Sequence, residues 1–350
     1  MNEEKLKNPQ KNSKFAQQAR NMKITQKDIA QKVGVSTSLV SRVLSGQAHK
    51  IGVHPRKIEE IMRVAKEMKY VPSPAALALK GKKSRTIGIV AYDFYSPYFS
   101  LLISELQELS HIYDYSLLLV GFLNRKPKES DLIPLYKHSV DGIIILGSFG
   151  DLSWTNAFKD IPIARVGHGE HPDLRLSISV DEFDAMQKIL THLTRDLSLK
   201  SVAFAFRSLP AHQLRLEMLK KAAKDFGCRI DVLPPSDEDQ DFRAGSAIAR
   251  ALLKDGAPLP SAIICATDLI AMGVIKKFHE SGVKVPENVA IVGFDDVPEA
   301  ANYIPSVTSF RQPIKEYAKR CFSAIVEDSS LGVVELEGEL LVRSSTISKG

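Results

Sequence analysis

Thr37, Ser38, Ser41 and Arg42 crowd into six consecutive positions of ITQKDIAQKVGVSTSLVSRVLSG, residues 24–46. Hydroxyls bond bases or phosphates, and a guanidinium can bond a guanine bidentately. Such a set suits the reading of base edges in a DNA groove, provided that one helix presents all four side chains on one face.

The surrounding pattern supplies that helix. Thr25 precedes an apolar series, Ile29, Ala30 and Val33, at helical spacing. Asp28 stands three residues after Thr25, as in a capping box. Gly34 ends this first helix, because glycine accepts the left-handed backbone of a tight exit. Ser36 caps a second helix whose stripe is Val40, Val43 and Leu44. Ala30 leaves room for a steep crossing, so the pair reads as a helix-turn-helix, with Thr37, Ser38 and Arg42 facing outward. A plain helical hairpin with an exposed arginine is the simpler alternative. A third helix opens at His54-Pro55, with apolar positions Ile58, Ile61, Met62, Ala65 and Met68, and ends near Tyr70. In SPAALALKGKKS, residues 75–80 fit one and a half turns of helix with Leu79 exposed beside Lys80. So short a helix needs a partner, either its own copy or DNA.

Charge separates this front from the rest of the 350-residue chain. Residues 1–83 hold 18 Lys+Arg against 6 Asp+Glu, a net +12; the remainder holds 29 against 35, a net −6. A basic front on a mildly acidic body suggests a polyanionic partner for the front alone. No run of eighteen apolar residues exists, so no membrane span is expected. The N-terminus lacks an apolar signal region, and residues 1–22 read as a disordered basic extension. Three scattered cysteines, Cys228, Cys265 and Cys321, offer neither a disulfide framework nor a metal motif and fit a reducing cytoplasm.

From residue 86 the pattern changes. Apolar runs at 86–91, 115–121, 141–147, 161–167, 201–206, 261–266 and 289–294 alternate with amphipathic segments. This is the signature of parallel sheet covered on both faces. About nine strands exceed one open sheet, so two doubly wound α/β lobes are expected, with a cleft where strand ends face each other.

The order IxxxDIAxxxGVSxxxVSRVLxG, then a helix ending in Y-x-P, then A-x-x-L-x-G, resembles the lac repressor/galactose repressor (LacI/GalR) family of bacterial transcription factors. The resemblance continues through SPYF (96–99), VDGIIIL (140–146), VD (180–181), CATDLIAMG (265–273), VGFDD (292–296), TSFRQP (308–313) and LLVRSS (340–345). It implies a DNA-binding domain at 23–72, a hinge helix at 73–83 and a periplasmic-binding-protein type I core at 84–350. The lobes of that core would be about 86–182 plus 312–328, and 183–311 plus 329–347. It further implies that Thr37, Ser38 and Arg42, with Thr25, Ser36 and Ser41, face the operator, that Leu79 wedges into the minor groove with Ala76 beside it, and that Lys80 also contacts the DNA. Motif positions give the effector-binding candidates Tyr98, Phe99, Ser148, Arg215, Phe242, Thr267 and Asp295, and His168 joins them because it follows a strand at the cleft. Their carboxylate, guanidinium and hydroxyls suit a sugar-like ligand, with aromatics stacked on its apolar face. Thr267 replaces the asparagine common in A-N-D. The implied partners are double-stranded DNA with a pseudo-palindromic operator, a small-molecule effector and a second copy of the chain in a homodimer, at the bacterial nucleoid. No metal or cofactor is expected.

Enzymatic signatures are absent: the sequence has no G-x-x-x-x-G-K-[ST], H-E-x-x-H or G-x-S-x-G. GHGEH (167–171) has potential ligands but no ordered partners for them. Beside the ligand-controlled repressor stand two alternatives, a helix-turn-helix fused to a sugar-kinase-like enzyme and a regulator answering to a protein corepressor.

Overall fold

The structure, a computed structural model, describes residues 24–48, 52–71, 83–91, 94–122, 128–148, 151–254, 258–327, 329 and 331–347. Ala76, Leu79, Lys80 and the extension 1–22 lie outside the described residues. The chain divides into two compact units, residues 1–82 and 83–350.

The first unit is built from α1 (Gln26–Val33), α2 (Thr37–Leu44) and α3 (Pro55–Glu67). Thr25 caps α1 reciprocally: its Oγ1 accepts from Asp28 N at 3.3 Å, and Asp28 Oδ2 accepts from Thr25 N at 2.7 Å. Gly34 follows at φ 72°, in the left-handed region. Ile29, Ala30, Val40, Val43, Ile61, Val64 and Ala65 form a common core. The expected face of α3 needs one correction. Met62 is 51 % exposed, and Val64 takes its place in the core. Ile61, Val64, Ala65 and Met68 follow the i, i+3, i+4, i+7 rule, and Met62 stands one residue off that stripe. The helix stops at Glu67 with Met68 as its C-cap.

The second unit holds two six-stranded sheets. In chain order its elements begin with β1 (Thr86–Ala91), α4 (Pro97–Ile112), β2 (Ser116–Gly121), α5 (Glu129–Lys137), β3 (Gly142–Leu146), β4 (Ile163–Val166), β5 (Leu176–Val180) and α6 (Glu182–Leu190). There follow β6 (Ser201–Ala205), α7 (Pro210–Ala222), β7 (Arg229–Val232), α8 (Asp241–Lys254), β8 (Ala262–Cys265), α9 (Asp268–Glu280), β9 (Ala290–Asp295) and α10 (Pro298–Asn302). The chain closes with β10 (Thr308–Arg311), α11 (Ile314–Val326), β11 (Gly332–Leu336) and β12 (Glu339–Leu341). One sheet runs β11-β5-β4-β3-β1-β2 and the other β12-β10-β9-β8-β6-β7. Every pairing is parallel except β10 with β12. β1, β3, β4, β5, β8 and β9 are buried along their whole length, as a sheet covered on both faces requires.

The expected assignment of 329–347 to the second lobe is corrected by the pairing. β11 joins the first sheet, in register Gly332↔Leu176 to Leu336↔Val180, and only β12 returns to the second. The chain therefore crosses between lobes at 181–182, 312–313 and 337–338.

Two helices that begin at the cleft are set by glycines. A Cβ on Gly245 of α8 would lie 2.0 Å from Ile270 O, and one on Gly273 of α9 would lie 2.1 Å from Phe242 O. The two backbones touch directly, which fixes Phe242 and Thr267 at neighbouring helix starts. Gly273→Ala is expected to destabilise the chain by about 1–3 kcal/mol through overpacking, read as a lower urea midpoint. An unchanged midpoint would mean that the helices separate freely.

Candidate functional site

The helix-turn-helix set is assembled locally. Ser36 accepts from Leu39 N at 3.2 Å and caps α2. Thr37, Ser38 and Arg42 are exposed, while Ser41 is half-buried beside them. Spacings of three and four residues put all four on one face, opposite the buried Val40 and Val43. Thr25 and Ser36 are exposed at the starts of their helices.

In the second unit a cleft of about 340 Å³ opens between the sheets. All eight effector candidates line it. Tyr98 and Phe99 arrive on α4, Ser148 follows β3, and His168 follows β4. From the other lobe come Arg215 on α7, Phe242 on α8, Thr267 after β8 and Asp295 at the end of β9. Parallel strands of both sheets end here, so loops and helix starts converge without breaking either sheet.

Two hydrogen-bonded chains span the lobes. In one, His168 Nε2 lies 3.3 Å from Glu182 Oε1, and Glu182 takes both Nε and Nη2 of Arg215 at 2.8 and 2.7 Å. Arg215 also donates Nη1 to the carbonyl of Ala266 and sits over Phe294, 3.4 Å from the ring centre. In the other, Tyr98 OH donates to Gln312 Oε1 at 3.4 Å, and Gln312 Nε2 donates to Asp295 Oδ1 at 2.7 Å. Glu182 and Gln312 stand at two of the three crossings. On the second lobe Asp241 accepts from Arg207 Nη1 at 2.9 Å and from Thr267 Oγ1 at 2.8 Å.

Burial and charge set the protonation states. Burial alone would raise the Glu182 carboxyl, but Arg215 and His168 hold it at about 2. Burial pushes Asp295 up to about 7, although Arg215 and Gln312 oppose it. Burial lowers His212 to about 4, which keeps its imidazole neutral. Asp295 also adopts φ 106°, a strained conformation for a residue with a side chain. Glu182, Arg207, Asp241, His212 and Gln312 were not among the sequence candidates. Gln312 lies inside TSFRQP and Asp241 beside Phe242; Arg207 and Glu182 carried no local signal. His168 and His171 of GHGEH meet different partners, Glu182 and Asp173, the latter pair 3.8 Å apart. Among the described residues no group of three His, Cys, Asp or Glu is placed to hold a metal ion, and no helix is long and apolar enough to cross a membrane.

Architecture and site together define a class: a helix-turn-helix unit carried in one chain with a two-lobed, cleft-bearing α/β receptor. Residues 25–73 match the model of the lacI family of bacterial regulatory proteins, and residues 192–346 that of the periplasmic binding protein-like domain. The HTH-type transcriptional repressor PurR of Pasteurella multocida (strain Pm70) is 27 % identical over 341 residues, 93 % of this chain and 99 % of its own length. The repressor CytR of Escherichia coli (strain K12) is 26 % identical over 336 residues, 92 % of this chain and 96 % of its own. Among solved structures, the lac repressor dimer bound to operator and the anti-inducer ONPF superposes with a TM-score of 0.76 at 22 % identity, covering 93 % of this chain and all of that one. The chain thus carries a lacI-family helix-turn-helix domain ahead of a periplasmic binding protein-like domain.

The titration of Asp295 is measurable. Its folded pKa lies above the unfolded value, so the folded state holds a proton that the unfolded chain has already released. Stability is then lost as pH rises. Asp295→Asn is expected to remove that loss, gaining about 2–3 kcal/mol relative to the wild type between pH 5 and pH 8 in urea unfolding. Parallel pH profiles would contradict the buried, protonated carboxyl.

Proposed function

We propose that the protein is an operator-binding transcriptional repressor, acting as a homodimer in the bacterial cytoplasm and at the nucleoid, with no enzymatic activity. Its operator affinity is set by a small polar ligand held in the cleft by Tyr98, Phe99, Ser148, His168, Arg215, Phe242, Thr267 and Asp295. Two relatives along nearly the whole chain are named as repressors, and that family-wide likeness supports the reading.

The observation that carries it is the placement of the cleft. Both hydrogen-bonded chains that span it run through crossings, so a ligand bonded to Asp295 or packed against Arg215 acts on the joints between the lobes. A ligand favouring one lobe angle shifts the population of that angle by its differential affinity. In a homodimer that shift alters the separation of the two helix-turn-helix units and hence their fit to half-sites about one DNA turn apart. The aromatic and polar lining suits a ring with hydroxyls, such as a sugar or a nucleoside.

At the DNA, Thr37, Ser38 and Arg42 read base edges, with Arg42 directed to a guanine. A site selected from random oligonucleotides provides the test. Arg42→Ala is expected to lose discrimination at one base pair per half-site, about 1–3 kcal/mol, while losing little affinity for non-specific DNA. An unchanged base preference would remove Arg42 from the readers. A chain that selects no sequence at all would overturn the regulatory reading itself.

A further inference from the structure

The cleft is rich in charge, yet both of its guanidiniums are already held. Arg215 spends Nε and Nη2 on the two oxygens of Glu182, and Nη1 on a backbone carbonyl. Arg207 is paired with Asp241. Each guanidinium is matched by the carboxylate bonded to it, Glu182 for Arg215 and Asp241 for Arg207, and Asp295 adds a buried carboxyl that titrates at about 7. Glu182 and Arg215 are 4 % and 5 % exposed, so water does little to screen them.

An anion entering this cleft finds every nitrogen of Arg215 already bonded and the charge of Arg207 matched by Asp241, and it meets the negative charge of Glu182 in a low-dielectric site, where like charges repel strongly. A donor meets the opposite. Asp295 takes one hydrogen bond, from Gln312, on Oδ1, and Asp241 faces the same space. We infer that Glu182 sets the charge class of the ligand: by holding Arg215 it closes the cleft to phosphate- and carboxylate-bearing molecules and leaves it open to uncharged or amine-bearing ones that donate to Asp295. This rests on the cleft being the ligand site and narrows what that site accepts.

The electrostatics agree. Burial, reinforced by Asp241 and Glu182, holds Asp295 at about 7 even with Arg215 in the same cleft. Glu182, held at about 2, keeps its charge at any physiological pH.

The test uses inorganic phosphate as an anion probe, with thermal unfolding of the full chain in sodium phosphate against sodium chloride at equal ionic strength. Three proteins are compared: wild type, Glu182→Gln, and Glu182→Gln combined with Arg215→Ala. Phosphate bound by the basic N-terminal residues is common to all three. Glu182→Gln alone is expected to gain a further rise of about 2–4 °C in midpoint, because Arg215 is released to bind the anion. An equal phosphate response in wild type and Glu182→Gln overturns the inference, as does a gain that persists in the double variant. Glu182→Ala serves if the glutamine variant does not unfold cooperatively. The wild type gives a second readout. Glucose and glucosamine are expected to stabilise it more than glucose 6-phosphate and gluconate, and the reverse order overturns the charge rule. If the charge rule holds while operator affinity ignores every cleft ligand, the regulatory reading fails and this inference stands.

Discussion

The bidentate pair between Arg215 and Glu182 is the constraint on which the cleft depends. Two opposite charges, each almost fully buried, leave water together only if each satisfies the other's hydrogen bonds. Arg215 does so completely on one edge and then reaches the carbonyl of Ala266 at the end of β8. The pair thus ties the start of α6, α7 and the end of β8 to one point. Removing either partner would strand a buried charge, a loss of about 3–5 kcal/mol in comparable pairs. Because Glu182 follows the first crossing directly, the same pair that stabilises the second lobe also anchors a joint between lobes.

Around that point the structure separates rigidity from movement. Each lobe is a sheet, parallel except for β12, whose covered central strands form a packed interior that resists deformation. The crossings are single strands of chain, bridged by side chains whose hydrogen bonds a ligand can replace or reinforce. Gln312 is the plainest instance. It is held by Tyr98 and Tyr317 through its Oε1 and holds Asp295 through its Nε2. Differential contacts at such joints let a small molecule bias a two-state element.

Much of this was legible in the sequence where the signal is local. The Thr25–Asp28 capping box, the Gly34 exit and the Ser36 cap each involve residues within a few positions, and each formed as expected. Met62 misled because helical periodicity alone does not fix the phase of a stripe; the contact with the other two helices does. The strands missed as apolar runs were short and interrupted by polar residues: LSISV, RIDV, TSFR, GVVEL and ELL. β11 was assigned to the wrong lobe because its partner, β5, lies some 150 residues earlier, beyond any local pattern. The eight effector candidates line a single cleft, and all but Arg215, which lies in the middle of α7, follow strands or lie near helix starts, where motif position is informative. Their partners were hidden for the opposite reason. Glu182 meets Arg215 across 33 residues and Arg207 meets Asp241 across 34, contacts that only the fold creates.

The central claim is that the cleft and the DNA-reading helices share one equilibrium, and thermodynamic reciprocity tests it most directly. The measurement is operator affinity with and without a saturating cleft ligand, paired with ligand affinity with and without operator, on the same full-length protein. Coupling predicts that both affinities change by the same factor, about 5–150-fold. A ligand that fills the cleft while leaving operator affinity unchanged would contradict the account.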